Sequence, residues 1–448
     1  MAKADFLHGS VFHGLLNFMV PVLGALLLQA AYGAADVFVI GMFCDAASLS
    51  GVGTGSVAMN IVIFGLVSLA MGSTVVIGQH IGEGAHGKAE EAAGATIVLF
   101  AIISVIGTVL IEIFTPEILH LLRVPAEAFE KTEIYFRICV GGTVVITAYN
   151  VISCIMRGLG NSKLPFLFVL IACIVNIVGD FILIGGFGMD VAGAAIATVF
   201  SQLVSVVVSV IVLRKVKFGI DFASIRLGFY PEEMKKILKI GIPLMVEELT
   251  VEVSFLVMNA IINAMGLIES AGYGVAQKLI AFVMLIPSAL MQSVSAFVAQ
   301  NFGAQNYARI KEGYRKSIFA GTVFCTGVFL ISYFGGGLMS RAFTSDPAVI
   351  KASHLYIQGF SFDCILTCYL FASIGLLNGT GHSFPVFMQG VTSAIIVRIP
   401  SALLLSSIAG ATLFHVGLAA PITTVYGIVF FWVTIVIMKR RKTEKALL

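Results

Sequence analysis

Two aspartates stand inside long apolar runs, where an ionised side chain costs several kcal/mol unless it is paired, hydrated or neutralised: Asp36 and Asp180. At helical spacing Gln29, Tyr32 and Asp36 share one face, and so do Asn176 and Asp180. Thr198 and Asn150, on two further apolar runs, can complete a polar cluster with them. Acids gathered in such a cluster can share a proton, because like charges at close range resist joint ionisation. With amide and hydroxyl oxygens beside them they can instead hold a hard cation. The plainer alternative is that each acid is satisfied separately by hydrogen bonds from neighbouring helices.

A second set of ionisable residues lies further along: Glu247, Glu248 and Glu252 on one run, Lys278 on the next, then Asp363 and Arg398. Glu248 and Glu252 are four apart and lie on one helical face, with Asn259 beyond them. Both signs are present, so internal ion pairing is the alternative to a cation or substrate site. Glu247 is near the end of its run, where solvent can reach it. The second set does not repeat the first: at the flanking landmarks Asp36 matches about Met258 and Asp180 about Pro400.

The elements that carry these residues are membrane helices. Charged residues are 11% of 448 and the mean hydropathy is +1.02, whereas about a quarter of a soluble domain is charged. Runs of about 20 apolar residues predict an all-α integral membrane protein of twelve transmembrane helices. The run that begins near Val11 and passes Pro21 reads as a retained first helix. Seven scattered cysteines and eight histidines show neither Cys-x-x-Cys nor metal-ligand spacing, so no metal site and no disulfide framework is expected.

The chain repeats itself about 221 residues apart. Gln79-His80-Ile81-Gly82 returns as Gln300-Asn301-Phe302-Gly303, Arg157-Gly158-Leu159-Gly160 as Asn378-Gly379-Thr380-Gly381, Pro21 as Pro243, and Tyr135 as Tyr356. Six helices per copy is an even number, so the two lobes are parallel repeats that enter the membrane from the same side, a plan for a transporter with a central cavity. The expected borders are 1–218 for the first lobe, 219–239 for a polar linker and 240–448 for the second lobe. Lys and Arg concentrate in one set of loops, the linker and the tail Lys439-Arg440-Arg441-Lys442, while Arg123, Lys131, Arg137, Arg341 and Lys351 are alone on the other side. Both termini are therefore expected in the cytoplasm, in the plasma membrane. That basic charge reflects topology rather than nucleic-acid binding. Gly82 to Ala89 nearly spells a phosphate-binding loop, but Ala89 replaces the magnesium-binding hydroxyl and a helix precedes it, so no nucleotide is expected.

The twelve helices, the parallel repeat, the first-helix proline ahead of Asp36, the Gln-x-x-Gly turns, Arg157-Gly158-x-Gly160-Asn161 and Asn176-x-x-x-Asp180 resemble the multidrug and toxic compound extrusion (MATE) family over essentially the whole chain, and most closely its DinF-like bacterial branch. The resemblance implies export of amphipathic, often cationic, small organic compounds in exchange for inward sodium ions or protons, without a cofactor, by a protein expected to be a monomer. It also implies a coupling-cation site at Asp36, Asn150, Asn176, Asp180 and Thr198, with Pro21 as the kink of the first helix. A cation or substrate site in the second lobe would use Glu248, Glu252, Lys278, Asp363 and Arg398. There the sequence departs from the NorM-like pattern, with Asp363 about one turn early and Lys278 placed to neutralise an acid. Two rivals were weighed. A flippase of lipid-linked saccharides would need several mid-membrane cations, where only Lys278 and Arg398 stand, and a membrane-embedded enzyme would need a catalytic motif such as His-Glu-x-x-His, which is missing from the sequence.

Overall fold

The computed structural model describes residues 5–215, 220, 222 and 225–440. Lys3 and the tail residues Arg441, Lys442 and Lys445 lie outside the described residues, as do positions 219, 221, 223 and 224 of the expected linker.

A chain this apolar satisfies its backbone polar groups in lipid only by closing them within helices, and the described residues are helical almost throughout. We number the long helices α1 Val11–Phe43, α2 Ala46–Gly82, α3 His86–Ile113, α4 in two parts Ala126–Gly141 and Thr143–Gly158, α5 Lys163–Asp180 continuing as a π-helix over Phe181–Gly186, and α6 Asp190–Lys215. There follow α7 Pro231–Asn263, α8 in two parts Leu267–Val283 and Leu285–Gly303, α9 Tyr307–Ser340, α10 Pro347–Gly379, α11 over Ser383–Ser406, and α12 from Leu413 to Arg440. Among the described residues ten spans are long and apolar enough to cross a membrane, and the two halves of α4, bent by 51°, make an eleventh. The remaining long helix is α7, which carries Glu247, Glu248 and Glu252.

The repeat is visible atom by atom in the turns. After α4, Gly160 at φ 80° donates to the Arg157 carbonyl and Asn161 to that of Met156, each at 2.9 Å. After α10, Gly381 at φ 82° donates to Asn378 at 2.9 Å and His382 to Leu377 at 2.8 Å. Both are left-handed helix endings for which glycine is the cheap residue.

Contacts divide the chain into two compact units, residues 20–245 and residues 5–19 with 246–448. The borders fall inside α1 and α7, next to Pro21 and close to Pro243, so each of these helices contributes to both units. The repeated Gln-x-x-Gly turns supply the reason. In the first unit, buried His80 at the end of α2 bonds through Nε2 to buried Glu233 on the first turn of α7 (2.9 Å) and through Nδ1 to Glu83 (3.0 Å). Glu233 also accepts from Lys236 at 2.8 Å. A few residues on, an added Cβ on Gly72 would strike the Ile237 carbonyl, so α2 and α7 cross in close backbone contact. In the second unit, Asn301 stands where His80 stands in the first repeat, and its amide donates to the Phe6 carbonyl at 3.1 Å. Arg309 adds bonds to the carbonyls of Phe6, His8 and Gly9. Each repeat's turn thus holds the N-terminal end of the other repeat's first helix.

The first unit packs α2 against both halves of α4, α5 against α6, and α4 against α6, over a core with Val39, Ile40, Tyr135, Phe136 and Ala194. The second packs α8, α9 and α12 around α10, over Ile262, Tyr273, Tyr356, Phe360 and Ala402. Large apolar side chains such as Phe38, Phe181, Phe334 and Trp432 remain exposed, as a surface solvated by lipid requires. Where α2, α4 and α6 begin or approach one end, Lys131 Nζ bridges Asp45 (2.8 Å), Ser48 (2.6 Å) and Asp190 (3.1 Å). This ammonium holds the Asp45 carboxyl, the N-cap of α2, well below the usual carboxylate range.

Candidate functional site

In the first unit α1, α5 and α6 bring four polar side chains together. Gly179 precedes Asp180 and Ala197 precedes Thr198, and a Cβ placed on Gly179 would lie 3.2 Å from that of Ala197. These two small residues let α5 and α6 approach, which sets Asn176 and Asp180 beside Thr198. The Thr198 hydroxyl donates to Asp36 Oδ2 at 3.1 Å and accepts from Asn176 Nδ2 at 3.3 Å. The Asp180 carboxyl faces that of Asp36 within hydrogen-bonding reach, and Asp36, Asn176 and Asp180 are at most 3% exposed. Immediately after Asp180 the helix widens into the π segment Phe181–Gly186, a distortion that recurs at functional positions.

The chemistry of this cluster follows from what it lacks. Asp36 Oδ1, Asn176 Oδ1 and both Asp180 oxygens are buried with no hydrogen-bond donor. Two facing carboxylates without a donor between them are satisfied when a proton or a cation joins them, and the neighbouring amide and hydroxyl oxygens are hard ligands of the kind such a cation takes.

Asn150 is not bonded into the cluster. Its amide donates to the Ile146 carbonyl of its own helix at 2.9 Å. One residue near the cluster escaped sequence reasoning. Gln202, one turn after Thr198, pairs with Tyr32 and keeps a buried oxygen without a donor. The i+4 step from Thr198 to Gln202 was the available signal. Pro21 lies within α1, which runs as one helix through it. Gly82 ends α2, Glu83, Gly84 and Ala85 form the turn, and His86 to Lys88 begin α3.

In the second unit Glu247, Glu252 and Asp363 lie within Coulombic reach of Arg398. Arg398 ends a π-helical stretch of α11, Ser393–Arg398. It donates from Nη1 to Ser254 at 2.9 Å and lies over the Phe255 ring at 4.6 Å. Asp363 is 5% exposed, bonds Thr424, and keeps Oδ1 without a partner. Lys278 does not join them; it is exposed and lies over Phe343 at 5.8 Å. Glu248 is half-buried one turn before Glu252, and Asn259 is exposed.

The family model MatE matches twice, at residues 21–182 and 243–404. The chain is 25% identical over 408 residues to the probable multidrug resistance protein YpnP of Bacillus subtilis, covering 91% of each. It is 25% identical to the multidrug export protein MepA of Staphylococcus saprophyticus, covering 91% of this chain and 90% of that one. Among solved structures it is similar in fold to an outward-facing multidrug resistance MATE transporter of the MOP superfamily, with a TM-score of 0.91, 20% identity and 99% of both chains covered. The same TM-score relates it to a MOP superfamily transporter of Pyrococcus furiosus, covering 98% of both chains at 20% identity. One family model, fitted twice at the spacing of the internal repeat and spanning most of a twelve-helix membrane protein, settles the affiliation: the chain belongs to the multidrug and toxic compound extrusion (MATE) family.

Proposed function

We propose that this MATE protein is a cation-coupled antiporter that exports amphipathic, often cationic, organic compounds in exchange for inward sodium ions or protons, by alternating access of its two lobes. The observation that carries the reading is the buried Asp36–Asp180 pair, three of whose own oxygens, with Asn176 Oδ1 beside them, no donor satisfies. An exporter of organic compounds also fits relatives named as multidrug export and resistance proteins. The cytoplasmic placement of both termini in the plasma membrane rests on the Lys and Arg asymmetry of the loops.

In this mechanism Asp36 and Asp180 take the coupling ion, Thr198 orients Asp36 through its donated hydrogen bond, and Asn176 orients Thr198. Binding removes the repulsion between the two carboxylates. The ion shifts the lobes only by its difference in affinity between their two states, and reciprocity requires that ion and exported cation then weaken each other's binding. The test is efflux of a fluorescent lipophilic cation from proteoliposomes under an imposed sodium gradient and, separately, a proton gradient. Efflux driven by one gradient and abolished in Asp36→Asn and Asp180→Asn is expected. Ion-driven efflux that survives both substitutions removes the coupling role from this pair, and a wild type that answers neither gradient directs the search to lipid-linked saccharides.

A further inference from the structure

The two matches of the family model begin at 21 and 243 and end at 182 and 404. At the flanking landmarks Asp36 corresponds to about Met258 and Asp180 to about Pro400. Met258 is a packed core residue, at 3% exposure, and no acid stands within two residues of Pro400. The second repeat therefore lacks both acids of the pair, and on the helix where the second of them would stand it carries a guanidinium, Arg398.

That guanidinium is fixed on two sides. Ser254 accepts from Nη1 on one, and the face of Phe255 lies under the plane on the other. Of the carboxylates around it, Asp363 is the one Arg398 feels most strongly. Asp363 is also the acid that most needs a counter-charge, since it is buried and one of its oxygens has no donor, whereas Glu247 and Glu252 are half-buried. No direct ion pair joins Arg398 to Asp363 among the described residues. The guanidinium is anchored by Ser254 and Phe255 and acts on the acids through space.

We infer that Arg398 is a tethered cation that fills the acidic pocket of the second unit in place of a mobile ion, so that each chain carries one exchangeable cation site, at Asp36 and Asp180. The inference rests on the first-unit reading only for the location of that remaining site. Arg398 neutralises Asp363 permanently, and a buried carboxylate deprived of that partner recruits a solution cation or a proton.

The test counts cations on the purified full-length protein without transport, by 22Na+ scintillation proximity and by proton uptake followed with an indicator dye in weakly buffered solution. R398Q is expected to gain one cation equivalent per chain, as sodium or as a proton, and R398Q/D363N to lose it again. R398K is expected to match wild type. An unchanged count in R398Q overturns the inference. Should R398Q fail to fold, D363N alone decides: an unchanged count supports a tethered cation, and loss of one equivalent means that Asp363 holds a mobile ion. D36N run in parallel separates the two readings, since it should subtract one equivalent from wild type and R398Q alike. If D36N changes nothing while R398Q still adds one, the first-unit reading fails and the tethered cation stands.

Discussion

Substituting His80→Ala should loosen the start of α7 far more than Asn301→Ala loosens the segment before α1. The two residues occupy matching places in the repeat, but His80 bonds a buried carboxylate while Asn301 makes a neutral bond beside Arg309. Glu233 and His80 are 5% and 6% exposed. Removing the imidazole leaves a buried carboxylate with Lys236 as its ionic partner. Breaking a buried pair costs roughly 3–5 kcal/mol when nothing is left behind, and Lys236 at 2.8 Å brings the expectation down to about 2–3 kcal/mol. In the other clasp, Asn301→Ala deletes one neutral bond to the Phe6 carbonyl while Arg309 still holds it, a loss of about 1 kcal/mol. Opening free energies read directly as amide exchange rates. At about 1.4 kcal/mol per tenfold, amides of residues 231–243 should exchange roughly 30- to 150-fold faster in His80→Ala, and those of residues 6–14 about 5-fold faster in Asn301→Ala. Hydrogen exchange read by mass spectrometry resolves the difference. Less than 3-fold acceleration at 231–243 would mean that the Gly72 crossing, and not the ion pair, holds α7, and the clasp reasoning would be wrong.

Thr198→Val removes the hydroxyl that donates to Asp36 and one hard ligand oxygen, so the coupling-ion concentration for half-maximal efflux should rise by about 5- to 10-fold, for a loss near 1 kcal/mol. Gly158→Val and its repeat partner Gly379→Val should each destabilise the fold by about 1–3 kcal/mol through overpacking, because an added Cβ would lie 2.8 Å from the Thr74 carbonyl and 2.7 Å from that of Ser295; thermal unfolding followed by tryptophan or dye fluorescence measures it. Lys131→Met should remove an acid-side stability dependence. The folded-state pKa of Asp45 is depressed, so its contribution is present above the ordinary carboxylate range and is lost as pH falls through the depressed value. Wild type should therefore lose stability between about pH 4 and lower values more steeply than Lys131→Met, in a thermal-shift series across that range.

Much of the frame was legible because the bilayer prescribes it. A span needs about 20 apolar residues, and a duplicated frame repeats its turns, so Gly160 and Gly381 announced the same left-handed ending in both copies. Helical spacing alone set Asn176 and Asp180 on one face, and the rarity of polar residues in the apolar runs pointed to Asp36 and Thr198 as their partners. What spacing cannot give is the rotation of one helix against another. Lys278 and Arg398 looked equivalent as partners for the second-unit acids, yet exposed Lys278 faces Phe343 while Arg398 bonds Ser254 within electrostatic reach of the acids. Asn150 looked like a site amide, but a side-chain amide can bond a carbonyl one turn back, and here it bonds that of Ile146. The exchange of the ends of α1 and α7 between units was invisible for a third reason. It depends on contacts such as Asn301 with Phe6, 295 residues apart, which leave no periodic trace.

The unequal charge of the two repeats has an electrical consequence. Moving one elementary charge through 100 mV is worth about 2.3 kcal/mol, so the number of coupling ions per cycle decides whether the membrane potential helps the pump. With one exchangeable cation at Asp36 and Asp180, inward transfer of that ion against outward transfer of a monovalent organic cation moves no net charge. Efflux of such a substrate from wild-type proteoliposomes should then be indifferent to a potassium–valinomycin potential at fixed ion gradient. Replacing Arg398 by glutamine adds a second mobile cation at Asp363, and the cycle would carry one net charge inward. An interior-negative potential of about 100 mV should then favour the R398Q cycle by about 2.3 kcal/mol, and the ratio of substrate sustained across the membrane should rise by up to roughly 50-fold. Equal potential dependence in wild type and R398Q would show that Arg398 does not set the stoichiometry, whatever it does for the fold.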